Sequence, residues 1–526
     1  MHPKPARRRP ARRAGGVPGP VPARDDQVSI TLPRALAIGI TSATAIALAW
    51  PSTAQADGFE NVAAGARTAA MGGAAIAGGS DSAMPTLNPA GLALIPGSVL
   101  SVSASLYHLG LVTVPHFVSD TDEISSQWGT LSLSQKGIRS LAFSSFPSSI
   151  AYFWHLGSAE SPHVLAASLT VPRNLKRRFS ENYEFLGEGV AIKENQTTLI
   201  DEQQYLAALS WGAGFDDLRL GSSLLLGWTS FVRTSERSDL VVLGTGGFQR
   251  GQTRESRAEN SVDAGLMVGV QYDVLPWLRV GATARSPSLH VAGRFEGSVD
   301  NTGIPDQGDT LIATTQSHGE ATRGIPLRFG LGLEARFEDW SVALDGQVFL
   351  PRTLEFALEG RSINSSIGGA ADRPDFDVEI RSRARLNPVI NAAVGCEYRV
   401  TESNWIRAGL FTDFSALEPT SEQLERLPAI RGPVPPGIFF ELPVHRFGAS
   451  VGWGTKVGVI DTTLGIRGSY GHGRTLRVVP DQRYDRTHAI ESTDVTVLEG
   501  AAFLSAALDV SEAAGGLMDH VGTMGE

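Results

Sequence analysis

Three arginines, Arg381, Arg383 and Arg385, alternate with Ser and Ala in the stretch RSRARL. In a β-strand the two-residue period puts all three guanidinium groups on one face. Arginine binds carboxylates through paired, charge-assisted hydrogen bonds, so this column could hold the acidic head group of a ligand. Arg285, at the end of another alternating stretch, is a fourth candidate. The less specific interpretation is that these arginines pair with Asp or Glu across a polar interior.

Enzymatic patterns are weak in this sequence. Gly448-Ala449-Ser450-Val451-Gly452 matches G-x-S-x-G, but a nucleophile of that kind needs a strand-to-helix turn, and this match lies within an alternating stretch. The 11 His residues have no paired metal spacing. We therefore predict no catalytic residue, no metal, no cofactor and no enzyme activity. A barrel hydrolase whose Ser and His meet only in space stays an alternative, which loss of esterase activity in Ser450→Ala would reveal.

Apolar and polar residues alternate over most of the chain, most clearly in residues 262–272 and, after a turn at Leu275-Pro276, in residues 278–285. Period two predicts strands with one apolar and one polar face. Two further hairpins close through short turns at 337–340 and 400–404. Long polar stretches separate the hairpins, at roughly 108–138, 172–197, 235–257, 286–322, 351–379, 415–442 and 474–489. Short turns that alternate with long loops are typical of a transmembrane β-barrel.

The alternating runs predict about fourteen strands, each long enough for the roughly 9 to 11 residues of a tilted membrane strand. They lie near 98–107, 139–155, 163–171, 198–212, 217–233, 258–273, 277–285, 323–337, 340–350, 380–399, 404–414, 443–455, 457–473 and 490–509. No later stretch is apolar for the roughly 18 residues that a spanning helix needs. The fold class is therefore all-β, an antiparallel barrel.

The first 56 residues have the pattern of a signal peptide with a long basic n-region. Seven arginines precede an apolar run over 35–50, which is followed by Ala54-Gln55-Ala56, and we expect cleavage after Ala56. This leader carries eight Lys or Arg and two Asp, so its removal takes the formal charge from −10 to −16. This negative net charge argues against nucleic acid as a partner. Cys396 is the one cysteine, so no intrachain disulfide forms.

Residues 57–97 are rich in Gly and Ala and too short of large side chains to build a core, so this stretch should pack inside something else. It contains Gly58-Phe59, the block GARTAAMGGA from Gly65 to Ala74, then Asp81 and Asn88-Pro89-Ala90. In this order behind a signal peptide, these motifs resemble the amino-terminal hatch of the FadL/TodX-type outer-membrane long-chain fatty acid and hydrocarbon transport family. We expect a signal peptide at 1–56, a hatch at 57–97, a barrel at 98–510 and a tail at 511–526.

The resemblance implies a monomeric fourteen-stranded barrel in a Gram-negative outer membrane, plugged by the hatch and surrounded by lipid. It also implies that long-chain fatty acids or other hydrophobic small molecules pass inward by facilitated diffusion. Asp57, Gly58 and Phe59 resemble a terminus that lies in the binding cavity and opens or closes it by shifting. Asn88 and Pro89, next to Ala90, are expected to fix a turn rather than contact ligand.

Ligand capture from outside would need exposed apolar residues, for which Ile438, Phe439, Phe440 and Leu442 are candidates. The same residues could equally be strand ends or part of an aromatic girdle. Two other functions stay open: a non-transporting outer-membrane barrel that acts as an assembly or secretion scaffold, and a soluble secreted β-sandwich. One departure from outer-membrane barrels is that the chain continues past Val510 instead of ending on an aromatic residue of the last strand.

Overall fold

The computed structural model describes residues 64–117, 123–126, 129–133, 137–158, 160–187, 189–244, 246–305, 310–367, 376–417, 419–420, 422, 442–478 and 490–513. Most of these residues lie in β-strands. No helix in these ranges is long and apolar enough to cross a membrane. The all-β fold class predicted from the alternation is confirmed.

Fourteen strands form a closed antiparallel barrel, in which each strand pairs with the next barrel strand along the chain. Closure comes from the last and first strands, which pair from Val99↔Asp509 to Thr113↔Thr496. The barrel strands are β1 Val99–Val114, β4 Ile138–His155, β5 His163–Gly187, β6 Val190–Phe215, β7 Leu218–Leu243, β8 Phe248–Leu275, β9 Leu278–Arg285, β12 Arg328–Arg336, β13 Trp340–Phe349, β16 Val389–Thr401, β17 Asn404–Asp413, β18 Val444–Val457, β19 Ile460–Val478 and β20 Ile490–Asp509.

The two faces of the wall differ in polarity as the alternation predicts. In β12, Arg328 and Glu334 point into the barrel and are buried, whereas Leu331 points outward and is 68% exposed. Aromatic side chains lie next to the short turns on the outer face, including the pair Trp340 and Tyr398, whose ring centroids are 4.5 Å apart. An apolar exterior with aromatic residues at its edge suits a bilayer.

Five of the seven long polar stretches are mostly strand, which corrects their assignment to loops; the other two, 415–442 and 474–489, lie largely outside the described residues. β5 to β8 continue as paired ribbons through 172–197 and 235–257. Six more strands lie at the same end of the barrel as these ribbons: β2 Glu123–Ser126, β3 Gly129–Leu133, β10 Leu289–Pro305, β11 Thr310–Glu320, β14 Arg352–Ile367 and β15 Phe376–Leu386. Antiparallel strands satisfy each other's backbone hydrogen bonds whether or not they carry an apolar face. A polar sequence alone therefore does not indicate a loop.

The predicted strand at 380–399 is in fact two strands. β15 ends at Leu386, Asn387-Pro388 follows, and β16 begins at Val389. Proline lacks the N–H that a continuous ladder needs, which explains the break. Only β16 belongs to the wall, because β15 pairs with β14 outside the ring of fourteen. The predicted lumen column at Arg381, Arg383 and Arg385 is therefore wrong: it lies on β15, where Arg385 is exposed.

Residues 64–97, which we call the hatch segment, lie inside the barrel. The segment contains two short helices, α1 Ala66–Ala70 and α2 Met84–Leu87, followed by a 3₁₀ helix at Pro89–Leu94. Small side chains that could not form a core alone are buried here against the inner wall. The hatch segment thus fills the lumen at the level of the wall.

Barrel closure generates the first prediction. Ala506 in β20 is in register with Val102 of β1 and Thr462 of β19. Ala506→Pro removes an N–H from a strand paired on both sides, and an unsatisfied backbone group in a bilayer costs several kcal/mol. We expect the folded, fast-migrating band of unboiled protein on a denaturing gel to disappear. Ala506→Val keeps the N–H and should retain that band; equal bands in both variants would contradict the role of this seam.

Candidate ligand site between the hatch segment and the wall

One arginine of the hatch segment, Arg67, contacts two carboxylates of the wall. Arg67 Nη2 donates to Glu334 Oε1 at 2.8 Å, Nε lies 3.2 Å from Glu397 Oε2, and Nη1 donates to the Gly78 carbonyl at 2.8 Å. Burial lowers the pKa of Arg67, but the carboxylates of Glu397 and Glu334 raise it more, so the net pKa is above its ordinary value. The charged side chain therefore ties the hatch segment to β12 and β16.

Two aspartates hold the backbone of the hatch segment. Asp345 on β13 accepts the amides of Ala75 and Ile76 at 2.7 and 2.8 Å through Oδ2. Within the segment, Asp81 accepts the Thr68 amide and hydroxyl at 2.8 and 2.9 Å. Hydrogen bonds from amides to a carboxylate are among the stronger neutral-to-charged bonds. They replace the backbone partners that so short a helical segment cannot supply itself.

The motif Asn88-Pro89-Ala90 is buried and forms the predicted turn. Asn88 Oδ1 accepts the Ala90 amide at 3.2 Å, while Nδ2 donates to the carbonyls of Ile76 and Val270 at 2.7 and 3.3 Å. Pro89 occupies the first position of the 3₁₀ helix, where its fixed φ fits and no N–H is needed. The Asn88 side chain thus joins two parts of the hatch segment to β8.

Glycines of the wall lie where the hatch segment contacts it. A Cβ on Gly269 of β8 would overlap Asn88, and one on Gly409 of β17 would overlap the Met71–Gly72 peptide. Only glycine allows so close an approach of backbone. Glycines at lumen-facing strand positions therefore indicate where the hatch segment contacts the wall. The alternation of apolar and polar residues does not by itself reveal these positions.

A cavity of about 120 Å³ lies between the hatch segment and the wall. Its apolar lining includes Leu87, Pro172, Leu206, Phe349 and Phe411, and Ala64 at the start of the described hatch segment also lines it. The charged groups among its described lining residues are Asp345, Asp413 and Arg467. The cavity is mainly apolar with a few polar groups, as ligand pockets are.

The wall beside this cavity has an interrupted ladder. β4 pairs with β5 from His155↔Val164 to Ser149↔Thr170, and within the described residues that pairing goes no further. The β5–β6 register shifts between Thr170 and Arg173. Pro172 lies in this gap, where its missing N–H accounts for the lost bonds. The cavity therefore adjoins a discontinuous part of the described wall.

The other predicted site residues have different positions. Asp57, Gly58, Phe59, Ile438, Phe439 and Phe440 fall outside the described residues, as do the side chains of Arg381 and Arg383. Leu442 is 1% exposed, so its predicted place on an exposed capture surface is wrong. Arg285 is buried on the lumen face of β9 but is not among the cavity-lining residues described. Ser450 lies within β18 and donates to the Ala70 carbonyl at 2.8 Å, so this G-x-S-x-G match is not a strand-to-helix turn.

Sequence reasoning missed Arg67, Asp345 and Arg467. Their signal is weak, because a charged residue at a lumen position looks the same whether it binds the hatch segment, the wall or a ligand. Only the contacts across more than 250 residues of chain, such as Arg67 to Glu334, separate these roles.

Replacement of the central cation should loosen the hatch segment. Arg67→Met removes one arginine partner from each of Glu334 and Glu397, which keep Arg279 and Arg407. Breaking a buried pair costs about 3–5 kcal/mol, and the remaining partners place this loss toward the lower end of that range. We expect amides of residues 64–97 to exchange with deuterium about a hundredfold faster or more, with barrel strands unchanged, by mass spectrometry. Arg399→Met removes a half-exposed pair with Asp339 and should have little effect. Unchanged exchange in Arg67→Met would contradict the anchoring role.

Loss of the Asn88 amide should act more locally. Asn88→Ala removes the acceptor of the Ala90 amide and a donor to Ile76, a loss of about 1–3 kcal/mol. We expect faster exchange confined to the 3₁₀ helix and the neighbouring turn. Asn404→Ala removes a side-chain bond to Thr401 in an exposed turn and serves as the matched control. Acceleration spread evenly over the barrel would argue against this local role.

Searches of family models and of curated proteins find no match. Among solved structures, the Pseudomonas putida toluene transporter TodX is 14% identical, with a TM-score of 0.50 over 86% of this chain and 99% of TodX. The TodX ΔS2S3 mutant, a monoaromatic hydrocarbon channel, is 15% identical with a TM-score of 0.51, over 85% and 99%. A Pseudomonas aeruginosa FadL homologue is 12% identical, with a TM-score of 0.49 over 86% and 99%.

At identities this low the likeness concerns the fold. It covers nearly the whole of each similar chain, and those similar structures are transport channels rather than enzymes. The chain therefore has the FadL/TodX-type barrel fold that its hatch motif predicts.

Proposed function

We propose that this protein is an outer-membrane channel through which hydrophobic small molecules diffuse inward along the cavity between the hatch segment and the wall. The observation that carries this proposal is the position of the cavity: it is mainly apolar, and it adjoins the interrupted ladder at Pro172. The fold likeness to TodX, which is described as a toluene transporter, supports the same conclusion.

The driving force is burial of apolar surface. An alkyl chain gains about 0.8 kcal/mol for each CH₂ removed from water, so capture needs no energy source. The hatch segment blocks free diffusion of water-soluble solutes, because Arg67, Asp345 and Asn88 hold it across the lumen. The mainly apolar cavity is then the space left for a solute beside the hatch segment. This favours passage of apolar solutes.

The exit is sideways at Pro172. A ligand in the cavity borders Thr170 and Pro172, the two residues at which β5 loses its regular pairing. Beyond this point lies the membrane face, into which an apolar molecule partitions without crossing water. This route suits molecules that dissolve in lipid.

The residues that precede the hatch segment control entry to the cavity. Ala64 lines it, so the adjacent stretch with Asp57, Gly58 and Phe59 is close enough along the chain to reach it. A shift of that terminus would change the free volume of the site. On this proposal, the barrel acts as a monomer, and the leader exports the chain to the outer membrane.

Uptake measurements test the proposal. We expect a Gram-negative host that lacks its own transporter to take up radiolabelled hexadecanoate or toluene when it expresses the wild-type chain. Pro172→Val restores an N–H to β5 and should reduce uptake several-fold without loss of ligand binding. Pro162→Val, in the turn before β5, should transport normally.

Two outcomes would contradict this function. If neither probe enters at a verified outer-membrane level of wild-type barrel, a non-transporting scaffold is the better explanation. If Pro172→Val transports as well as wild type, transport continues but the sideways exit is wrong.

A further inference from the structure

We propose that the outer face of the wall binds an acylated glycolipid with two phosphates, of the kind that forms an outer leaflet. The binding surface, which we call the basic row, consists of side chains in cross-strand register, with Arg178 beside them: His445, His472, Thr496, Thr113 and Arg139. The inference goes beyond the proposed function. It depends on the outer-membrane location and not on transport.

Aromatic side chains show where the apolar band of the wall ends on the side of the long ribbons. Tyr470 lies ten residues from Ile460 at the start of β19, and Tyr205 lies ten residues from Phe215 at the end of β6. About this many residues carry a tilted strand across the hydrocarbon layer. Tyr205 also stacks on Trp228, with ring centroids 5.3 Å apart. These rings form a second aromatic level, opposite the one at the short turns.

The basic row lies directly above an apolar row on the same face. The apolar row is also in cross-strand register and is formed by Phe447, Tyr470, Leu498, Leu111 and Leu141. All of these except Leu111 are more than half exposed. On each strand the basic row is two positions further from the short turns, so side chains of both rows point outward. Acyl chains on the apolar row therefore place a lipid head group at the basic row.

One end of the basic row has two exposed arginines. Arg139 and Arg178 point outward, because their strand neighbours Ser140 and Arg177 are buried on the inner face. The two backbones meet here, since the Arg178 amide donates to Ser140 Oγ at 2.8 Å. Arginine donates paired, charge-assisted hydrogen bonds to phosphate. This end of the row therefore suits one phosphate.

Other exposed cations near the basic row already face carboxylates. Lys176 Nζ lies 3.5 Å from Asp201, and Arg474 Nε lies 3.9 Å from Asp494. Within the part of the chain that the structure describes, Arg139 and Arg178 side chains have no such partner within 4.0 Å. Their charge is therefore available to a head group.

The other end of the row has a pair of histidines. His445 on β18 and His472 on β19 are exposed and directly opposite each other. Opposite Cβ atoms lie about 4.5–5.5 Å apart in such a pair, so both rings reach one phosphate. Phe414 packs edge-on against His445, with ring centroids 5.2 Å apart. An imidazole has an N–H donor whether it is neutral or protonated, so this end also binds a phosphate.

The separation of the two ends selects for two phosphates on one molecule. His472 and Arg139 lie three strands apart, with Thr496 and Thr113 between them. Three strand spacings of about 4.8 Å give roughly 14 Å. A disaccharide with a phosphate at each end spans such a distance. A lipid with a single phosphate occupies one end only.

A general belt of interfacial cations does not explain the basic row. On β6, β7 and β8, the corresponding positions above Tyr205 and Trp228 are Gln203, Ser230 and Asn260. All three are uncharged. The charge complementarity to an anionic head group is therefore confined to one side of the barrel.

Lipid titration followed by native mass spectrometry tests the site. The full mature chain is refolded from inclusion bodies into detergent, so it starts without outer-leaflet lipid. The probes are hexa-acyl lipid A with two phosphates, its monophosphoryl form, and phosphatidylglycerol. We expect wild type to bind the two-phosphate form about tenfold or more tightly than either other probe. Arg139→Gln with Arg178→Gln should weaken that binding about tenfold or more, since each cation near a lipid surface contributes about fivefold.

Loss of the histidine end should remove the preference for the second phosphate. His445→Ala with His472→Ala leaves the arginine end intact, so the two forms of lipid A should bind within about twofold of each other. Arg254→Gln is the matched control, because this exposed arginine pairs with Glu236 on the ribbon of β7 and β8. It should bind every probe as wild type does. A fast-migrating band of unboiled protein verifies folding of each variant.

Two outcomes would overturn the site. Equal affinity of wild type for all three lipids would leave only ordinary contact with the membrane. Equal weakening in Arg254→Gln and in the arginine double variant would show an effect of net charge alone. The channel is tested separately, because both double variants should take up toluene as wild type does. Absent uptake with selective lipid binding contradicts the channel alone, and uptake without selective binding contradicts the basic row alone.

Discussion

The closed hydrogen-bond ladder is the constraint on which the rest of this structure depends. A strand that faces lipid cannot leave N–H and C=O groups unpaired, and pairing of β20 with β1 removes both edges of the sheet. Closure by fourteen strands leaves a wide lumen that wall side chains do not fill alone. The hatch segment fills it, and its own short helices in turn need partners from the wall.

Docking of the hatch segment combines two opposite requirements. Close approach needs a wall without side chains, which Gly269 and Gly409 provide. Firm attachment needs charged wall residues, which Glu334, Glu397 and Asp345 provide. The mainly apolar cavity lies next to these contacts, with Asp345 in its lining, and beside the part of the described wall where β4 and β5 separate. The hatch segment and the interrupted ladder thus both border this cavity.

Buried arginines serve different purposes in this lumen. Most of those with described contacts pair with carboxylates: Arg323, for example, lies 2.7 Å from Glu259 and 3.4 Å from Glu202. The less specific interpretation of lumen arginines, that they neutralise Asp and Glu, therefore holds for these. Such pairs cost desolvation and fix geometry more than they add stability. Arg467 differs because its neighbours Asp413 and Glu499 contact Arg446 instead.

The sequence by itself determined the local features of this protein. The two-residue period predicted fourteen strands close to those observed, since side-chain direction in a strand depends only on the parity of position. Asn88-Pro89 predicted its own turn, because the residues that make the bonds are adjacent. Tertiary structure alone decided which strands join the wall: Pro388 removes the predicted arginine column from it, and ladder pairing extends polar ribbons where loops were expected. It also decided the site, because a cavity arises from residues such as Leu87, Pro172 and Arg467, far apart along the chain, and no local pattern encodes which of them meet.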